Sequence, residues 1–294
     1  MRSCLGVKTT LGWSLWHIAK TALQVAGSLA FITSVARHPL VRRVRDHLPG
    51  FAASSPTGWD TPHPFDLEHG IDAHGFVPTK DLDSGVPGVT ASQGYGASQP
   101  SILRAALATL PRLETCTFLD LGCGKGRPLV VASEFPFRDI LGVELSPTLA
   151  SIAQTNADTI ARRYPTRTRV RIAVADATTH PIPAGDVALF LYNPFSFELT
   201  SLIATRVEAA LATEHRRIYV VYYNPVFGTV FDASPALTRR FASMLPYAPE
   251  ELGHGPDAED AVVMWQGGNA PPPIARADAR IVVTIPGTRA EIGA

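Results

Sequence analysis

Cysteine is scarce in this 294-residue chain, which holds only Cys4, Cys116 and Cys123. Three thiols so unevenly spread make neither a disulfide framework nor a four-ligand zinc site, and reduced, intracellular chemistry is the reading that remains. Net charge is missing too. Lys and Arg number 26 against 26 Asp and Glu. Bulk positive charge therefore does not hold this chain to DNA, because neutralising phosphates needs a clear Lys/Arg excess. Nor is there a long apolar run. The longest uncharged stretch near the start, Thr21 to Ala36, has 16 residues, short of the roughly 20 that span a bilayer as a helix. No small-residue cleavage site follows a charged start, so no cleavable signal is expected.

What is present is a 46% hydrophobic composition, enough core for one large domain or two small ones. Residues 1–50 carry an excess of six positive charges, balanced by six negative ones in the remainder. Within them Leu11, Leu15, Ile18, Ala22, Val25, Leu29 and Ile32 recur at intervals of three and four, the stripe of an amphipathic helix. This N-terminal helical extension is read as packing on its own protein or a partner. The alternatives are a membrane-surface helix, with the Arg37–Arg45 cluster at lipid headgroups, and a span. The location expected is cytoplasmic, with peripheral membrane contact through residues 1–50 as the variant.

Residues 51–92 contain five prolines and five glycines and show no sustained period, so they read as an irregular arm. The arm holds His63, His69 and His74 with Asp66, Glu68 and Asp72. Their spacing is irregular and no helix or strand orders them, so no metal site is assigned.

From residue 93 a regular alternation begins. Helices are expected at Pro100–Leu110, from about Arg127, and at Pro147–Arg163, Glu198–Ala212 and Ser234–Met244. Strands are expected at Thr117–Leu121, Ile140–Glu144, Val170–Val174, Val187–Tyr192 and Arg217–Tyr222. Strands separated by helices mean crossover units and a parallel sheet covered on both faces. The ending differs: "DAVVMWQG" and "ARIVVTIPG" have no helix between them and read as a closing antiparallel hairpin.

"TFLDLGCGKGRPLVVAS" is the most informative stretch, a buried strand ending near Asp120, glycines at 122, 124 and 126, then an apolar helix. Such glycines allow positive φ and let backbone N–H groups approach a ligand. The dinucleotide fingerprint fails here, since the sixth position counted from Gly122 is Arg127, and the phosphate loop fails as well. Lys125 and Arg127 are read either as meeting a carboxylate or phosphate or as solvated loop positions. Further along, "ILGVELSP" ends a strand at Glu144, "VRIAVADATT" ends one at Asp176-Ala177, and "DVALFLYNPFSFE" ends one at Asn193-Pro194-Phe195. Tyr192-Asn193-Pro194 is echoed by Tyr223-Asn224-Pro225. Both copies sit at the carboxyl edge of the sheet, where open α/β folds bind ligands. Tyr222, Tyr223 and Asn224 are read as acceptor-pocket or plain strand-end residues.

These motifs, in this order, resemble the class I S-adenosylmethionine-dependent methyltransferases over about Gly94 to Gly287. The resemblance implies an α/β, Rossmann-like, seven-stranded, mostly parallel sheet with a C-terminal antiparallel hairpin, forming a methyltransferase domain at 93–287. It also implies S-adenosyl-L-methionine as cofactor. Asp120 with the loop Gly122, Cys123, Gly124 and Gly126 would hold the methionine moiety, Glu144 the ribose, and Asp176 and Ala177 the adenine. Family members that methylate nitrogen carry Asp or Asn, Pro-Pro and an aromatic where this chain has Asn193, Pro194 and Phe195, with only one proline. The chain is also similar to non-SET histone-lysine methyltransferases, which implies a pocket role for Tyr95, and to a bacterial branch of the family in which "PFDLEHGIDAHG" is the substrate-side arm. The function expected is in-line methylation of a nitrogen on a protein side chain or small amine. Its rivals are methylation of oxygen or carbon in a small molecule, and a non-catalytic cofactor-binding or membrane-associated scaffold.

Overall fold

The computed structural model describes residues 58, 61–83, 94–269, 281–285 and 288–292. The stripe and basic cluster of residues 1–50 lie outside the described residues. Among the described residues, no helix is long and apolar enough to cross a membrane.

The chain first forms a short helix α1 (Pro64–His69) and a two-residue strand β1 (Phe76–Val77) that pairs antiparallel with β2 (Tyr95–Gly96). The repeating part follows: α2 (Pro100–Leu107), β3 (Cys116–Leu121), α3 (Arg127–Ala132), β4 (Asp139–Glu144), α4 (Pro147–Arg163), β5 (Val170–Val174), β6 (Asp186–Tyr192), α5 (Phe197–Thr213), β7 (Arg217–Tyr223) and the single turn α6 (Thr229–Asp232). Two long strands, β8 (Leu237–Pro246) and β9 (Glu259–Gly268), complete a seven-stranded sheet of order β5-β4-β3-β6-β7-β9-β8. β3 to β7 are parallel, whereas β9 runs antiparallel to both β7 and β8.

Alternate side chains of each strand enter opposite layers. Phe118, Ile140, Phe190, Val221 and Met264 face one layer with α2 and α3. Leu119, Val143, Leu189, Val220 and Trp265 face the other, with Ile203 and Val207 of α5 and Phe231 of α6. Burial on both faces explains why β7 reads as an unbroken apolar run rather than an alternation.

The closing hairpin exists, but with a different first strand from the one expected. Leu237–Pro246, overlapping the helix expected at Ser234–Met244, is the edge strand β8, and its register shifts between Arg239 and Phe241. That bulge sends Leu237 and Phe241, four positions apart, into opposite layers, so the apolar residues do not keep a two-residue alternation across it. A two-residue rhythm broken by a bulge looks like a helix in sequence. "ARIVVTIPG" does not join the main sheet. Its β10 (Ile281–Ile285) pairs with β11 (Thr288–Ile292) as a separate two-stranded sheet, and Ile281 and Val283 pack into the layer of Trp265. Helix α2 also stops earlier than expected, at Leu107. Part of the segment read as an irregular arm is ordered as α1, capped by His63 at one end and by Gly70 in the left-handed region at the other.

The chain leaves β3 toward β4 and β5 on one side and returns to β6 on the other. The carboxyl ends of these strands therefore flank a topological switch point, and the candidate site lies there.

Candidate functional site

Between β3 and α3 the chain turns through Gly122, Gly124 and Gly126, with φ of 83°, 54° and 83°. A Cβ at Gly124 would lie 2.4 Å from the Tyr95 ring, and one at Gly122 would lie 3.0 Å from Pro194. Glycine is thus required twice over, by backbone conformation and by close approach. The same contacts show that Tyr95 and Pro194 rest on the loop. Its amides, expected to face a ligand, are engaged elsewhere: those of Gly122 and Cys123 donate to the Val143 carbonyl at 2.8 and 3.1 Å. The Gly124 N–H donates to Glu144 Oε2 at 2.7 Å. The loop is pinned to the end of β4.

A cleft open to solvent runs along these strand ends. Tyr95, Asp120, Gly122, Cys123, Gly124, Glu144, Asp176, Ala177, Pro194 and Phe195 line it. Gly126 and Asn193 do not. Gly126 serves the turn into α3, packed near Ala153.

Three carboxylates occupy three successive strand ends in three different environments. Asp120 is 1% exposed and its Oδ2 has no hydrogen-bond partner. Burial, with the neighbouring Glu144 charge, pushes its carboxyl well above the usual range. Glu144 accepts from the Gly124 and Ser146 amides at 2.7 and 2.9 Å. Burial nevertheless raises its carboxyl, against those two bonds that favour the charged form. Asp176 is exposed and turns one oxygen to the Thr178 amide and hydroxyl, both at 2.7 Å. Cys123 is buried and its thiol is pushed well up by that burial, so it is a small packing residue rather than a nucleophile.

Asn193 ends β6 with φ 41°, and Asn224 ends β7 with φ 48°. The sequence echo is therefore a conformational one, since asparagine is among the few residues that tolerate the left-handed region. Asn193 Oδ1 accepts from Tyr222 Oη at 3.3 Å. Asn224 Nδ2 donates to Asp260 at 2.8 Å, and Tyr223 Oη donates to the same carboxylate. None of Tyr222, Tyr223 and Asn224 lines the cleft, but Tyr192 does.

The sequence left the basic residues of the glycine loop open between ligand contact and solvation, and the structure gives them partners in the arm. Arg127 is 1% exposed and forms a bidentate pair with Asp66, itself 2% exposed, at 2.9 and 2.6 Å. Its third donor meets the Ser98 carbonyl at 3.0 Å. Lys125 Nζ reaches Asp72 at 2.9 Å and the His74 carbonyl at 2.8 Å. Asn156 of α4 ties arm to loop directly, bonding both Asp72 backbone groups and the Lys125 carbonyl. Tyr95 Oη donates to the Ala73 carbonyl at 2.6 Å, and Asp83 caps α4 through Thr148. No local pattern announces these links, because loop and arm stand more than fifty residues apart. Opposite charges in two unassigned loops were the only available signal. The arm's histidines have ordinary duties. His63 Nδ1 accepts from the Phe65 amide while Nε2 meets Gln99, and His69 bonds the Phe65 carbonyl and approaches Glu134.

Residues 119–215 match the family model described as "Methyltransferase domain". No curated protein matches the sequence. Among solved structures, the chain is similar to the 23S rRNA methyltransferase ErmE, at 16% identity over 58% of this chain and 69% of that one, with TM-score 0.40. An RNA methyltransferase from Salinibacter ruber in complex with S-adenosyl-L-homocysteine is 16% identical over 60% of this chain and 96% of its own, at TM-score 0.37. The magnesium protoporphyrin IX methyltransferase of Synechocystis PCC 6803, with bound S-adenosylmethionine, is 12% identical over 57% and 77%, at TM-score 0.39. The acceptors named there belong to those proteins.

Proposed function

We propose that this chain, which carries an S-adenosylmethionine-dependent methyltransferase domain, moves the methyl group to a nitrogen of a small amine or protein side chain. The cofactor supplies an electrophilic methyl group on its sulfonium. The donor set suits it. Asp120, with an unpartnered buried oxygen on the cleft, is assigned the cofactor's amino group. Glu144 is assigned its ribose hydroxyls, and the Asp176-Ala177 turn its adenine. Gly122 and Gly124 keep that wall free of side chains.

The observation that carries the nitrogen assignment is the composition of the cleft wall. The Asn193-Pro194-Phe195 turn meets the glycine loop at Gly122, and among the described residues no histidine or lysine lines the cleft, while its carboxylates, Asp120, Glu144 and Asp176, are those assigned to the cofactor. An oxygen acceptor needs a base to become nucleophilic, whereas a neutral amine needs only to be held in line. Its lone pair forms the N–C bond, the S–C electron pair leaves with sulfur, and one N–H proton passes to solvent. Pro194 and Phe195 are the acceptor's walls, Tyr95 packs across the loop, and Asn193, whose Oδ1 accepts from Tyr222 off the cleft, is a positioning residue that sets the turn presenting Pro194 and Phe195.

The experiment pairs cofactor binding with turnover. Calorimetric titration of S-adenosylmethionine is expected to show binding that Glu144→Ala weakens at least tenfold. Asn193→Ala is expected to abolish methylation of an amine panel while leaving cofactor affinity within a few-fold. Equal loss of binding and turnover in Asn193→Ala would remove its positioning role.

A further inference from the structure

Off the cleft surface, behind Tyr192 and Tyr223, lies a buried carboxylate that the proposed reaction does not use. Asp260 on β9 is 3% exposed and accepts from Tyr223 Oη at 2.5 Å, Tyr247 Oη at 2.5 Å and Asn224 Nδ2 at 2.8 Å. These three donors are neutral, so they solvate the charge without cancelling it. Tyr192 directly precedes Asn193-Pro194-Phe195 and lines the cleft. Its ring centroid lies 4.4 Å from that of Tyr223, so a single aromatic contact links the cleft wall to the Asp260 network. Burial and the Asp260 charge raise the Tyr192 hydroxyl well above its usual range, so it stays protonated and neutral.

The charges on the cleft point the same way. Among the described residues, those lining it include Asp120, Arg127, Glu144 and Asp176 as the charged ones, and Arg127 is neutralised by Asp66. No unpaired cation is left to meet an acceptor's phosphate or carboxylate. Aromatic faces attract cations through the ring quadrupole, and a buried anion nearby strengthens that attraction in a medium of low dielectric.

We propose that this end of the cleft recognises its acceptor as a cationic amine, the ammonium lying against the Tyr192 ring and drawn by the Asp260 carboxylate; it gives up one N–H proton to solvent in the open cleft before transfer, which frees the lone pair that attacks the methyl group. This deepens and rests on the nitrogen-transfer reading. It selects amines that are protonated in solution over ring nitrogens, hydroxyls and phosphate-bearing acceptors.

The test uses the full chain saturated with S-adenosylhomocysteine, titrated with n-butylammonium and with its neutral isostere butan-1-ol. The ammonium is expected to bind at least tenfold tighter. Asp260→Asn keeps a polar partner for the tyrosines, and it and Tyr192→Leu are each expected to bring the ratio near one with S-adenosylhomocysteine affinity unchanged. Tyr192→Phe, which keeps the ring, is expected to preserve the preference. Equal binding of the two probes by the parent protein, or a preference that survives both Asp260→Asn and Tyr192→Leu, would overturn the proposal. Failure of S-adenosylhomocysteine to bind would instead strike the cofactor assignment. Methyl transfer to neutral imidazole without any ammonium preference would leave nitrogen transfer standing and sink this inference alone.

Discussion

At the scale of single residues, several polar groups of the site hold the fold together at the positions proposed to meet the ligand. Glu144 is the clearest case. Its two oxygens hold the Gly124 and Ser146 amides, so removing it loosens the loop as well as the proposed ribose contact. Glu144→Gln retains one acceptor oxygen and is expected to lose less cofactor affinity than Glu144→Ala, a ranking that parallel calorimetric titrations check. The Arg127–Asp66 pair is a second case. Both partners are almost wholly buried, and taking one away strands the other charge. Asp66→Ala is therefore expected to destabilise by about 3–5 kcal/mol, measured by denaturant unfolding, with loss of cofactor affinity because Arg127 lines the cleft.

At the scale of elements, the parts that hold the site are junctions rather than helices or strands. The glycine loop is tied to β4 by its amides, to the arm by Lys125, Arg127 and Asn156, and to β6 by the contact of Gly122 with Pro194. Gly124→Ala would drive a methyl group into the Tyr95 ring at a residue with φ 54°. It is expected to abolish measurable S-adenosylhomocysteine binding, whereas Gly253→Ala, also at positive φ but with nothing within 4 Å of the added methyl, should leave binding unchanged. Helix α4 begins with Ser146 accepting from the Leu149 amide at 3.2 Å. Ser146→Ala is expected to cost about 1 kcal/mol of stability, read as a lower midpoint of thermal unfolding.

At the scale of the whole molecule, two buried titrating groups pull stability in opposite directions with pH. His63 is lowered to about 4, chiefly by burial and then by the Arg127 charge. The unfolded chain takes up that proton first, so the His63 contribution is present above pH 6.5 and is lost as pH falls toward 4. Asp260 is raised to about 6 by burial. Its contribution is present below the unfolded carboxylate value and is lost as pH rises through 6. Each is worth about 3 kcal/mol at full extent, and between pH 4 and 6 they offset one another. Relative to the parent protein, Asp260→Asn is expected to make the slope of stability against pH more positive across that window, and His63→Gln to make it more negative. Chemical denaturation at a series of pH values checks both slopes.

By itself the sequence determined the alternation of strands and helices, the parallel sheet, the placing of Asp120, Glu144, Asp176 and Asn193 at strand ends, and the glycine turn. These follow from local periodicity and from backbone conformations that few residues adopt. Part of the edge remained illegible: the bulge in β8 breaks the strand's two-residue alternation, leaving Leu237, Phe241 and Met244 at intervals that read as a helix. Tertiary structure alone decided that Arg127 and Lys125 are paired with the arm, that Asn193 turns to Tyr222, and that Tyr192 lies between the cleft and the Asp260 network. Each of these is a contact between segments distant along the chain. Burial and charge pairing, which depend on the three-dimensional neighbourhood, select such contacts, and no repeat period records them.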